Sequence, residues 1–447
     1  MAETVRLSAV FCCDTVALFP PKCYLIHEMK PALFKSHKST LAVCFTGYIC
    51  QAIVNNFAPL LFVAFQSGFD IPLSQITLLV TINFGVQLTV DLLSAKLVVR
   101  VGYRTAAVAA HLIIGVGLVL LGTLPFAMSD RFAGLVIGVV VYSVGGGIVE
   151  VMISPLAESC PTRNKAGTMS LLHSFYCWGC VLVIGLSTLV FSVAGIDFWR
   201  WLALIWAALP FVNAVLFLCV PMPEPASAET RSRVVPLLKS GMFWVLMVMM
   251  FCAGASELSV AQWASAFAEE GLGVSKTIGD LIGPCLFAVM MGVVRVAFVP
   301  LGKRFRLTSM IGISAVICTA SYLIISLVPV PGVALAGCAL TGFSVAVMWP
   351  GTFSVAAKNL PAGGTAMFAL LALAGDLGCT AGPSLVGFVS DSLGGDLTKG
   401  ILTAIVFPLL LVVAVFVCRT LERKSPSLPP LSPPEEEPAV CHGECGD

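Results

Sequence analysis

Charged residues are scarce in this sequence. It has 25 Lys and Arg and 24 Asp and Glu among 447 residues, a charged share of 11%. Ordinary soluble domains carry about 25% charged residues. A chain this poor in charge cannot cover a surface that faces water, and 58% of its residues are hydrophobic. We therefore expect most of the chain to face lipid, as in a multi-pass membrane protein.

Other signatures that the sequence lacks exclude several classes of function. The net charge is +1 and no block of basic residues suggests a nucleic-acid partner. Most of the 17 Cys lie inside apolar runs, where Cys packs as a small hydrophobe, and no metal-ligand spacing occurs. A Walker-type phosphate loop and a nucleophile–base pair are also missing. The sequence thus predicts neither an enzyme nor an ATP-driven pump, with no cofactor, no metal and no structural disulfide.

Long apolar runs are what the sequence has in abundance. A helix needs roughly 20 apolar residues to cross the hydrocarbon core. Strands are disfavoured, because the runs are too long and do not alternate as barrel strands do. Twelve such runs are predicted, at about 39–64, 75–99, 105–128, 132–156, 167–193, 199–221, 241–267, 279–301, 309–329, 332–356, 365–389 and 399–418.

Basic residues are distributed unequally between the two sets of loops. The loops on one side hold eleven of them: Arg100, Arg104, Arg163, Lys165, Arg231, Arg233, Lys239, Lys303, Arg304, Arg306 and Lys358. The opposite loops hold four: Arg131, Arg200, Lys276 and Lys399. Because cytoplasmic loops are the basic ones, this asymmetry predicts an inner- or plasma-membrane protein with both termini in the cytoplasm.

The longest polar connection, at 221–240, divides the runs into six and six. Leu171-Leu172 with Gly179-Cys180 recurs 199 residues later as Leu370-Leu371 with Gly378-Cys379. This pattern predicts two pseudo-symmetric six-helix bundles, 39–221 and 241–420, joined by a cytoplasmic linker at 222–240, in a monomer. The N-terminal segment 1–38 and the Pro- and Glu-rich tail 421–447 are expected to be disordered and cytoplasmic, and Met29 is an alternative start.

Ionisable side chains inside the predicted helices are candidate functional residues, because burying them in lipid costs several kcal/mol. Glu150 lies about seven residues before the end of the fourth helix, and His173 about six residues into the fifth. At 1.5 Å per residue both lie roughly 10 Å inside the membrane, where they could meet. Tyr176 shares the face of His173. We expect Glu150 and His173 to carry protons; the alternative is a structural hydrogen bond between the two helices.

A second group of polar residues suits the hydroxyls and ring face of a polyol. It comprises Glu257, Gln262 and Trp263 in the seventh helix, with Asn55 and Asn56 in the first. On a straight helix Glu257 and Trp263 point roughly 120° apart, so either the helix is irregular or only one of them faces a cavity. The adjacent Asn55 and Asn56 cannot both face squarely inward.

The remaining intramembrane charges are assigned by position. Asp376 lies in mid-helix among Gly375, Gly378 and Gly382, and is a third candidate for proton coupling, with a structural hydrogen bond as the alternative. Asp91 and Arg295 lie toward the cytoplasmic ends of the second and eighth helices, and we expect them, with Arg100, to act in gating.

Four segments together resemble the fucose/hexose:proton symporter branch of the major facilitator superfamily. They are residues 349–360 (WPGTFSVAAKNL), 387–391 (GFVSD), the Gly-rich stretch 145–155 with its Glu and Pro, and Gly254-Ala255 with Trp263 downstream. The resemblance spans about residues 39–420. It implies a twelve-helix transporter of a sugar or related polyol that uses alternating access and proton coupling. Glu150 matches the fourth-helix carboxylate of the branch, His173 and Tyr176 match cavity positions, and Trp349 is expected to contact substrate.

Two departures from the branch affect these expectations. Its sugar symporter has an acid shortly after paired Asn in the first helix, whereas Asn55-Asn56 are followed here by Phe57-Ala58-Pro59. The acid that the superfamily places before Arg-x-Gly is also replaced, since this chain reads Val-Arg100-Val-Gly102. Proton coupling is therefore left to Glu150, Glu257 or Asp376, and fucose itself is disfavoured.

The leading prediction is a secondary transporter that moves a sugar-like small solute together with protons. One alternative is efflux of an amphipathic drug or metabolite, which an apolar cavity also suits. Another, of a different class, is a non-transporting membrane sensor or scaffold, which is disfavoured by four buried acids and by the lack of an appended soluble domain.

Overall fold

The computed structural model describes residues 36–162, 165–223, 234–301 and 304–424. Within these ranges no strand occurs, and twelve helical spans are long and apolar enough to cross a membrane. We label the spans α1 to α12 and include short irregular turns in them. Their bounds are His37–Phe69, Leu73–Val101, Tyr103–Ala127, Arg131–Ser159, Lys165–Ala194, Trp199–Cys219, Gly241–Gly271, 276–301, Leu307–Leu327, Pro331–Asn359, Gly364–Ser392 and 397–424.

The predicted all-helical class with twelve spans is confirmed, and every predicted run overlaps one span. The predictions for the N-terminal segment 1–38 and the tail 421–447 fall almost entirely outside the described residues. Of the linker, residues Val234–Leu238 form a short helix. The side chain of Arg100, predicted to act in gating, also lies outside the described part of the structure.

Polar residues mark the starts of several spans. The side chain of Asp130 accepts a hydrogen bond from the Ala133 amide at 3.1 Å, and Asp396 accepts one from the Lys399 amide at 3.1 Å. Ser240 caps α7 in the same way, through the Phe243 amide at 3.4 Å. Such caps satisfy amides that lack an intrahelical partner, so the few polar residues of this chain fix where its apolar helices begin.

The helices form two groups of six. In the first, α3 packs along α4 and α6, and α2 along α4; in the second, α7 packs along α11 and α12, and α9 along α10. The groups meet mainly where α2 lies along α11 and α5 along α8. We call the face where α1 begins and α12 ends the terminal face, and the opposite one, which holds the α1–α2 turn at Asp70, the far face.

Three spans are interrupted near their centres. α1 passes through a 3₁₀ turn at Ala58–Leu61, which contains Pro59, and α10 is broken between Val345 and Met348. The regular helix of α7 ends at Ala261 and resumes at Ala264. The seventh helix is therefore irregular between Glu257 and Trp263, which was one of the two alternatives that the sequence left open. Such breaks release backbone groups inside the bundle, where other polar groups can use them.

Candidate functional site

A network of side-chain amides lies at the centre of the first group of helices. Gln87 of α2 donates to Asn55 Oδ1 of α1 at 2.9 Å and to Asn83 Oδ1 at 3.0 Å. Gln51 of α1 donates to Gln87 Oε1 at 2.8 Å, and Ser143 of α4 donates to Asn83 Oδ1 at 2.6 Å. Asn55, Asn83, Gln87 and Gln51 are each buried. The network ties α1, α2 and α4 together and provides polar surroundings inside an apolar bundle.

Glu150 lies at one end of this amide network. Its Oε2 accepts a hydrogen bond from Gln51 Nε2 at 3.3 Å. Gly146 and Gly147 allow α4 to approach α1 and α2 closely, because they have no side chain. A Cβ on Gly146 would lie 3.1 Å from Gln51 Oε1, and one on Gly147 would lie 3.0 Å from the Gln87 carbonyl oxygen. The glycines that precede Glu150 in sequence therefore place its carboxyl group against α1 and α2.

The polar residues of α5 form one inward face. His173, Tyr176, Cys177 and Cys180 recur at helical spacing, and the Tyr176 hydroxyl accepts from Asn55 Nδ2 at 3.4 Å. Leu171, Trp178 and Leu182 occupy the opposite, exposed face. His173 is nevertheless exposed, and its exposed surface therefore borders a space inside the bundle. Tyr176, Glu150 and Arg295 are also partly exposed, each of the four lies within electrostatic range of another, and we call the space that the four side chains border the central cavity.

Glu150 and His173 are not bonded to each other. Among the described residues no hydrogen bond or ion pair links them, and the His173 ring lies 5.5 Å from the ring of Tyr48 on α1. Tyr48 in turn shares a hydrogen bond with Ser154 of α4 at 2.8 Å. The two residues predicted to meet at equal depth therefore both border the cavity, with Tyr48 between their helices.

Arg295 of α8 is the guanidinium of the central cavity. Its Nη2 lies 3.5 Å from Glu257 Oε2 of α7, and its Nη1 lies 3.4 Å from Cys177 Sγ of α5. The structure thus joins two residues for which separate roles were predicted, gating for Arg295 and substrate binding for Glu257. Because Cys177 belongs to the other group of helices, Arg295 also contacts both halves of the bundle.

Asp91 of α2 and Asp376 of α11 form a carboxyl pair across the two halves. Each of the two carboxyl groups lies within electrostatic range of the other and of Glu150. Two carboxyl groups that share a buried site cannot easily both carry a negative charge. The structure therefore brings two titratable groups together between the halves.

Gln262 and Trp263 lie at the break in α7, in contact with the other half. Gln262 Nε2 donates to the Asn55 carbonyl oxygen at 3.0 Å, and Trp263 Nε1 donates to the Pro383 carbonyl oxygen at 2.9 Å. The Trp263 ring is fully buried and packs against Phe62 of α1 at 5.4 Å. These two residues therefore join α7 to α1 of the other half and to α11 of the same half.

The last two predicted substrate residues are partly exposed. Asn56 Nδ2 donates to the Ala52 carbonyl oxygen at 3.0 Å and lies 3.2 Å from Cys180 Sγ. Trp349 of α10 packs beside Phe353 and over Gly375 of α11, where an added Cβ would collide with the indole ring. Both lie within the bundle, on its α1–α5 and α10–α11 sides respectively.

A buried acid that sequence reasoning missed lies near the far face. Asp280 of α8 is 1% exposed and accepts hydrogen bonds from Ser265 at 2.5 Å and from Thr188 of α5 at 3.2 Å. Lys276, one turn away on the same helix, places its Nζ 3.1 Å from Asp280 Oδ2, the oxygen that accepts from Thr188. The predicted eighth helix began at residue 279, so Asp280 was placed at the membrane surface. The sequence feature that could have indicated this buried acid is the Lys–Asp pair at i, i+4.

Several contacts close the two halves onto each other toward the far face. Gln66 donates to Glu270 at 3.2 Å, the Ser74 amide to Asp391 at 3.1 Å, and Thr81 and Ser384 share a hydrogen bond of 2.6 Å. Together with the hydrogen bond from Thr188 to Asp280, these contacts join polar groups of the first half to side-chain oxygens of the second. The far face of this structure is therefore closed by hydrogen bonds across the halves.

We expect Gly387→Val to hold the far face open. A Cβ at Gly387 would collide with Thr77 of α2 and lie 2.5 Å from the Trp263 ring, so the closed contact of α2 with α11 leaves no room for a side chain. A cysteine introduced at Ser384 should then react with a thiol reagent from the far face at least several-fold faster than in the parent chain. Gly185→Val is the control, because nothing lies within 4 Å of its added Cβ. Unchanged labelling would contradict the closure described here.

Among the described residues, no group of three His, Cys, Asp or Glu is arranged to hold a metal ion.

Comparison with known proteins gives both a family and a fold. Residues 43–383 match the family model of the Major Facilitator Superfamily. A crystal structure of a bacterial homologue of the human lysosomal transporter Spinster, inward-facing and occupied, covers 88% of this chain and 100% of its own at 14% identity and a TM-score of 0.72. FucP, described as a Major Facilitator Superfamily transporter in the outward conformation, covers 85% and 98% at 16% identity and a TM-score of 0.60. Comparison with curated protein sequences gives no match.

Proposed function

The chain belongs to the Major Facilitator Superfamily, and we propose that it carries a sugar-like small solute across the membrane in symport with protons. Its fold and family are those of secondary transporters that work by alternating access, not of enzymes. The observation that carries the proposal is a carboxyl group, Glu150, at the junction of a buried amide network and the central cavity. Such a group inside a membrane bundle can gain and lose a proton as the cavity alternates between faces.

Glu150 is proposed as the site of proton coupling because its surroundings change with the position of the halves. Gln51, its hydrogen-bond partner, belongs to the same network as Asn55, whose carbonyl oxygen holds Gln262 of the second half. Separation of the halves near Gln262 would remove that bond and alter the network. His173 and the carboxyl pair Asp91–Asp376 are proposed as further proton carriers, the pair also as a latch between α2 and α11.

The substrate is proposed to occupy the central cavity. Tyr176, Asn56 and Trp349 offer a hydroxyl, an amide and an aromatic ring on partly exposed side chains. Asn55, Gln262 and Trp263 are buried, and Glu257 supplies a carboxylate that can accept hydrogen bonds from hydroxyl groups. An aromatic ring together with alternating donors and acceptors suits a polyol with one apolar ring face. FucP is described as a fucose:proton symporter of E. coli, which favours the same class of solute for this chain.

Both termini and the linker are proposed to lie in the cytoplasm of a cell whose inner or plasma membrane holds the protein. The support is the excess of basic residues in the loops of the terminal face. A cysteine placed at Ser227 in the linker should resist an impermeant thiol reagent applied to intact cells, and one at Asp130 on the far face should react. Efficient labelling at Ser227 in intact cells would show that the protein has the opposite orientation in the membrane.

Uptake into proteoliposomes tests the proposed function. Labelled sugars, polyols and sugar acids would be offered to vesicles whose lumen is alkaline relative to the medium, with and without a protonophore. We expect at least one solute to accumulate with the gradient and to equilibrate without it. Active extrusion of amphipathic compounds from the same vesicles, with no accumulation of any sugar-like solute, would favour efflux and contradict the proposal.

A further inference from the structure

Arg295 is the one guanidinium among the described side chains of the central cavity, and its hydrogen-bonding capacity is poorly used. The contacts to Glu257 and Cys177 are long, at 3.5 and 3.4 Å, and Nε is buried without a partner. Arg–carboxylate pairs are frequently bidentate, with distances of about 2.7–2.9 Å. A structural role therefore leaves these free donors unexplained.

The direction of Arg295 places those donors in the central cavity. Val293 and Val296, on either side of it along α8, are half exposed on the outer surface of the bundle, whereas the Arg295 side chain is 14% exposed and touches α5 and α7. The inward face of α5 that it touches also carries Tyr176 and His173. A solute in the cavity would thus meet a guanidinium beside the groups proposed to bind its hydroxyls.

We propose that this site selects an anionic solute, a polyol that carries one carboxylate, and that Arg295 binds this carboxylate in place of Glu257. The inference rests on the proposed function and specifies its substrate class. A planar carboxylate can accept two parallel hydrogen bonds from a guanidinium, which the monodentate contact with Glu257 does not provide. A neutral polyol would leave the buried guanidinium with no better partner than it has now.

Charge balance then predicts that binding of the anionic solute is accompanied by the uptake of one proton. Arg295 and Glu257 are neutral as a pair, so an entering carboxylate adds one negative charge to a site of low dielectric constant. A proton on Glu257 restores neutrality, and binding should therefore strengthen as the pH falls. The other titratable groups within electrostatic range of this pair are Tyr48, His173, Tyr176, Cys177, Cys180 and Cys379.

Binding to the purified full-length chain in nanodiscs tests the inference with three matched pairs of probes. Each pair joins a monocarboxylate to a neutral molecule of the same carbon number: gluconate and glucitol, glucuronate and glucose, butanoate and butan-1-ol. In at least one pair the acid should bind about tenfold or more tightly than its neutral partner, as a charge-assisted bond implies. The acid's affinity should rise from pH 8 to pH 6.

Variants assign the preference to Arg295. Arg295→Gln should abolish it. The double variant Arg295→Gln with Glu257→Gln removes both charges, so it avoids an unpaired buried carboxylate and should give the same result in a folded protein. Glu257→Gln alone should retain the preference but lose its dependence on pH. Arg104→Gln is the control: Arg104 donates to backbone carbonyl groups of Leu218 and Val220, away from the cavity, and the preference should be unchanged.

The outcomes separate this inference from the proposed function. Equal or tighter binding of the neutral member in every pair, or a preference that survives the loss of Arg295, overturns the anionic site while a sugar-like substrate stands. Arg295-dependent binding of butanoate alone supports the carboxylate site and overturns the sugar-like substrate. Binding of none of the six probes overturns both.

Discussion

Replacement of Glu150 by Gln is expected to abolish accumulation of solute against its gradient while leaving exchange of solute across the membrane partly intact. Gln preserves the size of the side chain and can still accept the hydrogen bond from Gln51 Nε2, but it cannot take up a proton. Only a group whose protonation differs between the two conformations can connect a proton gradient to movement of solute. The accumulation ratio in vesicles with an acidic exterior should fall to about one, the value for a carrier without coupling.

The control for this prediction lies on the same helix. Glu158 is exposed near the terminal end of α4, two turns beyond Glu150, and Glu158→Gln should leave accumulation unchanged. Counterflow of labelled solute, measured without a pH gradient, separates loss of coupling from loss of folding. A Glu150→Gln variant that still concentrates solute with the parent's dependence on pH would make Glu150 a structural link between α1 and α4, and would move coupling to the Asp91–Asp376 pair or to Glu257.

Gly378→Leu is expected to prevent correct folding of the second half. A Cβ at Gly378 would collide with the Phe251 carbonyl oxygen and lie 2.9 Å from the Ala255 amide nitrogen, both on α7. These are backbone atoms, which cannot rotate away, so α7 and α11 would have to separate. Overpacking of this kind should cost about 3 kcal/mol or more. We expect the yield of monodisperse protein on size-exclusion chromatography to be mostly lost.

Gly185→Leu is the matched control for that experiment. Gly185 also lies within a membrane-spanning helix, but nothing is found within 4 Å of its added Cβ. The substitution should leave yield unchanged or raise it slightly, because Gly is the less favourable helix residue by about 1 kcal/mol. Equal yields of the two variants would show that α7 and α11 do not pack as closely as described.

The architecture could be predicted from the sequence because it depends on local properties. Apolar runs of about 20 residues determine the helices, and the long polar linker divides them into two groups. Several ends still extended beyond the prediction: α1 reaches Phe69 rather than residue 64, because regular helix continues over Phe62–Phe69 after the 3₁₀ turn. The break in α7 was left open by the sequence, because neither Gly nor Pro occurs at Gln262-Trp263 to indicate it.

The candidate site was only partly predictable, because its contacts join distant helices. Glu150 was singled out from its burial, but its bond to Gln51 depends on how Gly146 and Gly147 bring α4 against α1, a long-range effect. The partner of Glu257 is 38 residues away in Arg295. Asp91 and Asp376 lie in different halves and received different roles. Helical periodicity indicates which residues share a face of one helix, and it does not indicate which faces meet.

Proton movement caused by solute tests directly whether Glu150 couples transport to protons. Proteoliposomes in weakly buffered medium would be mixed with solute at equal pH inside and outside, and the external pH followed with an indicator dye. We expect the transported solute to drive protons inward, so that the medium becomes alkaline. Glu150→Gln vesicles, which still take up solute by exchange, should give no such change. Uptake of solute with no proton movement in the parent chain would contradict proton-coupled transport.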